Sequence, residues 1–212
     1  MSSRDSISET EKLVAPSAHR GMQKDPDAEL MRRVGAGDHA AFEQLYTQYY
    51  HYLYRFIFRI TRRLESIEEI INDVMFVVWQ KAATLKLTSR TSTWLLGIAY
   101  RKSLKFLANY QETYETISIE EITHDLPSDR EPTMEQSELA DLLLVGLDSL
   151  SPEHRAVVEL TYYYGMHYSQ IAEIMKCPEG TIKTRMFHAR KKLRSQLRSL
   201  SAAVIDNAQG PL

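Results

Sequence analysis

The sequence predicts an all-helical protein made of two small domains joined by an acidic linker. Apolar residues recur at steps of three and four along most of the chain, the period of a helix packed on one face. No stretch alternates apolar and polar residues between hairpin turns, as a half-buried strand would. The charge is segregated as well. Lys176 to Arg198 holds eight basic residues against one acid, whereas Gln111 to Glu138 holds nine acids against Arg130 alone. A net charge of −2 over 212 residues conceals this division.

Residues 1–23 show no lasting periodicity and are expected to form a flexible tail. Asp25-Pro26 then marks a helix start, with Asp as N-cap and Pro at the first helical position, where its missing N–H costs nothing. That short helix ends near Gly35-Ala36-Gly37. Asp38 caps a second helix with the stripe Phe42, Leu45, Tyr49, Leu53, Phe56 and Ile60, which needs a partner to bury it. Ser66 and Glu69 have the S-x-x-E spacing of a capping box, opening a third helix through Ile70, Ile71, Val74, Val78 and Trp79. Ala83 to Thr91 breaks the pattern, and Ser92 or Thr93 is expected to cap a fourth helix from Trp94 to about Tyr110. These elements form a first domain over residues 24–110.

Residues 111–132, acidic and broken by Pro127 and Pro132, read as a flexible solvated linker. Helical pattern resumes with Leu139, Leu142, Leu143, Leu147 and Leu150. Ser151-Pro152 repeats the N-cap and N1 pair before a helix that carries Val157 and Leu160 and stops at Gly165. Two short helices follow, Tyr168–Lys176 and Glu179–Arg198, around a tight Cys177-Pro178 turn. The second domain spans 133–200, and residues 201–212 read as another flexible tail.

Several function classes are excluded. Cys177 is the only cysteine, so neither an internal disulfide nor a thiolate metal cage can form; a small buried turn residue is expected there. The chain has no H-E-x-x-H pair, no glycine-rich phosphate loop and no G-x-S-x-G elbow. No catalytic group, metal site or cofactor is expected. No run approaches the roughly 18 apolar residues that a membrane span requires, and the polar start MSSRDSISETEKLV lacks the core of a secretory signal. A cytoplasmic protein without membrane insertion follows.

The segment from Tyr168 to Arg185 has the marks of a helix-turn-helix that enters duplex DNA. Ile171 and Ile174 supply the inner face of its first helix, and small Ala172 lets the second cross closely. In the second helix Ile182, Met186, Ala189 and Leu193 share one stripe. At 100° per residue, Thr181, Thr184, His188 and Lys191 lie opposite, where they can reach base edges and phosphates in a major groove. Gly180 permits close backbone approach to a phosphate at the helix N-terminus. Lys183 and Arg185 complete the set expected to bind.

Those residues resemble a known family when taken with their surroundings. Leu150 to Leu160 (LSPEHRAVVEL), Gly165, Ile171-Ala172-Glu173-Ile174, Gly180 to Arg185 (GTIKTR) and Ala189-Arg190 are similar to region four of bacterial sigma factors. Gly37 to Tyr46 (GDHAAFEQLY), Glu68 to Trp79 (EEIINDVMFVVW) and Thr93 to Ala99 (TWLLGIA) are similar to region two. With no further domain between them, the layout over roughly residues 24–198 resembles the extracytoplasmic-function (ECF, group four) sigma factors of the sigma-70 family.

The resemblance implies a non-enzymatic subunit that binds core RNA polymerase, directs it to promoters and helps open DNA. It places the helix-turn-helix set (Gly180, Thr181, Lys183, Thr184, Arg185, His188, Lys191) on the minus-thirty-five element. It places Glu68, Glu69, Asn72, Asp73 and Phe76 on the clamp helices of the polymerase β′ subunit, with the β subunit as a further contact. Asn72 stands where relatives often have Gln, and Val77 where a basic residue is frequent. The loop before Trp94, with Lys86, Thr88, Ser89 and Arg90, corresponds to the element that captures a flipped minus-ten base. Trp94, Arg101 and Lys105 continue that surface, Arg101 and Lys105 replacing residues that are often Asn and Asp. An anti-sigma protein is a further expected partner. The residues alone leave two alternatives open, an autonomous helix-turn-helix regulator and an enzyme with a fused DNA-binding domain.

Overall fold

Every regular element among the described residues is helical. The computed structural model describes residues 25–85, 90–114 and 144–208. The first group of helices comprises α1 (Ala28–Gly35), α2 (His39–Thr61), α3 (Ile67–Lys81) and α4 (Thr91–Tyr114), with single 3-10 turns at Leu64–Ser66 and Ala82–Thr84. The second comprises α5 (described over 144–148), α6 (Pro152–Tyr162), α7 (Tyr168–Met175) and α8 (Glu179–Ala208). The expected tail over 1–23 and most of the expected linker lie outside the described residues.

Local chemistry explains most helix starts. Asp38 accepts from the Ala41 N–H at 3.0 Å, as an N-cap should. That bond, with the Arg33 guanidinium beside it, holds the Asp38 carboxyl below the usual carboxylate range. Ser151 caps α6 with Pro152 at its first position. Gly165 ends the turn after α6 with φ +61°, a conformation that favours glycine.

Four expectations about boundaries are corrected. Helix α1 starts at Ala28 behind Asp27 rather than directly after Asp25. The Asp25 carboxylate instead accepts from Thr91 N–H (2.9 Å) and Thr91 Oγ1 (2.6 Å), which supplies the start of α4 with an acceptor from 66 positions away. Helix α4 therefore begins at Thr91, ahead of Ser92 and Thr93, and it continues to Tyr114 into the expected linker. The Ser66–Glu69 capping box does not form, because Ser66 closes a 3-10 turn and its hydroxyl donates back to the Arg63 carbonyl at 3.0 Å. Finally, α8 runs thirty residues to Ala208, well beyond Arg198 and into the expected C-terminal tail.

The stripe read on α2 is the centre of the core: Leu45, Leu53, Phe56 and Ile60 are fully buried, packed with Ile67, Ile71 and Val74 of α3 and Leu95, Leu96 and Ala99 of α4. Helix α1 closes on the end of α3 so tightly that a Cβ on Gly35 would lie 2.9 Å from the backbone of Ala82. In the second group, Ala156, Val157 and Leu160 pack with Ile171, Ile174, Ile182, Met186 and Ala189. The two groups are not held apart. Helix α2 packs against α6 and α4 against α7, so that both share one continuous apolar core.

Candidate nucleic-acid interface

Helix α7 ends where Lys176 turns left-handed at φ +52°, and the Cys177 N–H closes the turn on the Ala172 carbonyl at 3.1 Å. Pro178 then leads into α8, whose first N–H groups bond back to the Pro178 carbonyl. Burial follows the stripe read from sequence. Ile182, Met186 and Ala189 face inward, whereas Lys183, Thr184, His188 and Lys191 are exposed and Thr181 is half-buried. Around Gly180 nothing lies within 4 Å of the position a Cβ would take, so the backbone there is open to close approach.

Some of these side chains have partners within the chain. Lys183 pairs with Glu179 at 3.0 Å one turn back, an exposed contact of small strength. The Thr184 hydroxyl donates to the Gly180 carbonyl at 3.1 Å and keeps its lone pairs for an outside donor. Arg185 departs from the outward set. It is half-buried, with Nη1 3.7 Å from the sulfur of Cys177, and it lies beside Tyr100 of α4. Cys177 is half-buried. Sequence reading passed over Phe187, which is 64% exposed on the outward side of α8, three positions beyond Thr184. Its place on the same helical face was the available signal.

On α4, Trp94 is half-buried against the core, and Arg101 and Lys105 are exposed. Arg90 is half-buried at the helix entrance. Lys86, Thr88 and Ser89 lie outside the described residues. The structure thus brings Trp94, Arg101 and Lys105 together on one helix that Asp25 anchors at its start.

A third surface is the outer face of α3. Glu68, Glu69, Asn72, Asp73 and Phe76 are all exposed, Phe76 by 60%. A row of tyrosines on α2 borders them, with ring centres 5.9 Å apart between Tyr46 and Tyr50 and 6.1 Å between Tyr50 and Tyr54. Tyr46 donates to Asn72 at 3.3 Å and Tyr50 to Glu68 at 2.8 Å. The bond to Glu68 is the main cause that pushes the Tyr50 phenol up to about 12. Lys102 of α4 pairs with Asp73 at 2.7 Å. Sequence reading did not find this buttress, since its members are 18 to 29 positions apart.

Comparison with known proteins identifies the family. Residues 45–113 match the family described as Sigma-70 region 2, and residues 140–193 match Sigma-70, region 4. Over 175 residues the chain is 30% identical to the ECF RNA polymerase sigma factor SigK of Mycolicibacterium vanbaalenii, covering 79% of this chain and 87% of that protein. The chain belongs to the ECF family of sigma-70 factors. It is also 27% identical over 186 residues to the ECF RNA polymerase sigma-E factor of Haemophilus influenzae, covering 82% of this chain and 96% of that one.

The fold agrees. The sigma factor RpoE, solved with the anti-sigma factor NepR from Bartonella quintana, superposes with a TM-score of 0.61 at 22% identity, over 74% of this chain and 96% of that one. CnrH, solved with the cytosolic domain of CnrY, does so with a TM-score of 0.58 at 19% identity, over 82% and 97%. As an ECF sigma factor the protein directs RNA polymerase in transcription initiation and is not itself an enzyme. That sets aside both the autonomous regulator and the fused enzyme. Among the described residues no helix is long and apolar enough to cross a membrane.

Proposed function

We propose that this ECF sigma factor divides its work among the three surfaces above. The acidic face of α3, with Glu68, Glu69, Asn72, Asp73 and Phe76, docks on the β′ clamp helices, and the second domain adds a contact to the β subunit. Trp94, Arg101 and Lys105, with the preceding loop from Lys86 to Arg90, hold the minus-ten strand. The outward face of α8 reads the minus-thirty-five duplex. We assign these tasks to domains over 24–110 and 133–200, acting in the cytoplasm where core polymerase works. An anti-sigma protein is proposed as a second partner, of the kind with which the structural neighbour RpoE was solved.

The observation that carries this reading is the outward face of α8. Four polar side chains stand exposed there, opposite the buried Ile182, Met186 and Ala189, with an open glycine at the helix start. Such a face fits a major groove. Phe187 among them is suited to an apolar contact with a thymine methyl group.

The test is transcription in vitro with core polymerase, with and without this protein, on promoter libraries. Promoter-specific initiation is expected only when it is present. Thr184→Ala, His188→Ala and Lys191→Ala should each weaken use of the minus-thirty-five element, by roughly 1–3 kcal/mol where a base contact is lost. Loss of a phosphate contact should instead lower salt sensitivity without changing sequence preference. If the three variants initiate as the parent does on minus-thirty-five-dependent promoters, the groove assignment of α8 is wrong.

A further inference from the structure

Lys102 stands where two of the three surfaces meet. It belongs to α4, one residue after Arg101 and three before Lys105, yet its Nζ lies 2.7 Å from an Asp73 oxygen on α3. Asp73 is one of the residues assigned to core polymerase. At 100° per residue, Arg101 and Lys105 lie about 40° apart on α4, and Lys102 stands about 60° from Lys105 on the side that meets α3. Residues three apart on a helix have Cβ atoms about 5–6 Å apart, so Lys102 and Lys105 can reach one phosphate or two neighbouring ones. The acidic face of α3 and the minus-ten face of α4 therefore share a cation.

The pair that holds this cation is weak. The Lys102 side chain is 31% exposed and that of Asp73 51%, and a surface contact of this kind contributes at most about 1 kcal/mol. Its neighbours on α3 are held in another way. Tyr50 donates to Glu68 and Tyr46 to Asn72, and a neutral phenol leaves the Glu68 carboxylate its full charge. Asp73 alone among these three has its charge offset by a cation.

A face that carries Glu68, Glu69 and Asp73 is complementary to a cationic partner. Once such a partner pairs with Asp73, two cations compete for one carboxylate. Lysine suits the exchange, because its point charge sits on a flexible four-carbon stem and makes no bidentate fork that would fix it in place. The anion open to the displaced ammonium is the backbone of the strand held along Arg101 and Lys105.

We propose that Lys102 is a further minus-ten contact, held by Asp73 in the free chain and transferred to a phosphate of the promoter strand when core polymerase takes the carboxylate. Docking thereby supplies the sigma factor with an extra cation for DNA. The proposal rests on the assignment of α3 to polymerase and of α4 to the minus-ten strand.

The test uses Lys102→Gln and Asp73→Asn in the full chain. The salt dependence of promoter binding by the holoenzyme counts phosphate contacts. Loss of one should reduce the slope of log affinity against log salt by about 0.7 on a single strand, with no change in sequence preference. Lys102→Gln is expected to show that reduction while binding core polymerase at least as tightly as the parent does. Asp73→Asn is expected to bind core polymerase less tightly. Without polymerase it should hold a single-stranded minus-ten oligonucleotide more tightly than the parent, and adding Lys102→Gln should remove that gain. A Lys102→Gln holoenzyme with the parent's salt slope would overturn the proposal. Weaker core binding by Lys102→Gln would also overturn it, making the pair a brace for α3. Undiminished core binding by Asp73→Asn would overturn the transfer and leave Lys102 as a plain phosphate contact. If Arg101→Ala with Lys105→Ala kept the parent's slope as well, the assignment of α4 itself would fall and the proposal with it.

Discussion

Replacing Glu69, Asn72 and Asp73 together with lysine is expected to abolish binding to core polymerase and, with it, promoter-directed transcription. All three side chains are exposed on the outer face of α3, opposite the buried Ile70, Ile71 and Val74, so the helix keeps its packing. The one ion pair lost, Lys102 with Asp73, is exposed and contributes at most about 1 kcal/mol. The change at the surface is far larger. Like charges set against a complementary partner cost several kcal/mol, which corresponds to on the order of a hundredfold or more in affinity. Competition with the parent for core polymerase measures it, and circular dichroism checks the fold. A triple variant that competes as well as the parent would move the docking surface off α3.

Truncating Arg155 should have the largest effect on stability. This buried guanidinium donates to the carbonyls of Leu147 (3.0 Å), Asp148 (3.0 Å) and Leu150 (3.2 Å), which close the corner between α5 and α6, and to that of Ile60. Burial is the main reason its pKa falls to about 10. Removing such a hub strips charged donors from several acceptors and leaves Glu159 and Asp148 with fewer cations. Arg155→Ala is expected to cost about 3–5 kcal/mol in urea unfolding. Arg155→Lys should recover only part of that, because a point cation cannot span the carbonyls that a planar fork reaches. A loss under about 1 kcal/mol would mean that the corner is held by something else.

What the sequence made legible was local. The cap at Asp38, the Ser151-Pro152 start, the glycine at 165 and the inward stripe of α8 each depend on neighbours within four residues or so, and each stands where it was read. The capping box failed for a local reason too, since Ser66 has its own 3-10 turn to close. A missed local signal explains the length of α8. Between Gly180 and Gly210 the chain has neither Gly nor Pro, so nothing in it calls for a stop at Arg198.

The remaining surprises are long-range. Asp25 fits an N-cap motif equally well whether it serves its own helix or one 66 positions away. The tyrosines that buttress Glu68 and Asn72 read only as part of an amphipathic helix. Arg185 flanks the apolar stripe of α8 by helical geometry, but the α4 residue it lies beside, Tyr100, is 85 positions away and could not be read from periodicity. The packing of the two helical groups joins Tyr52 to Tyr164 and Arg59 to Glu159, residues that no periodicity connects.

Arg59 and Glu159 are 100 positions apart, and that separation becomes a delay during synthesis. A ribosome adds about 5–20 residues per second, and domains fold as they emerge, the N-terminal one first. The first domain, whose α4 ends at Tyr114, is thus complete for roughly 2–9 s before Glu159 has been made. During that interval every nascent chain presents uncovered the faces of α2 and α4 that α6 and α7 later cover.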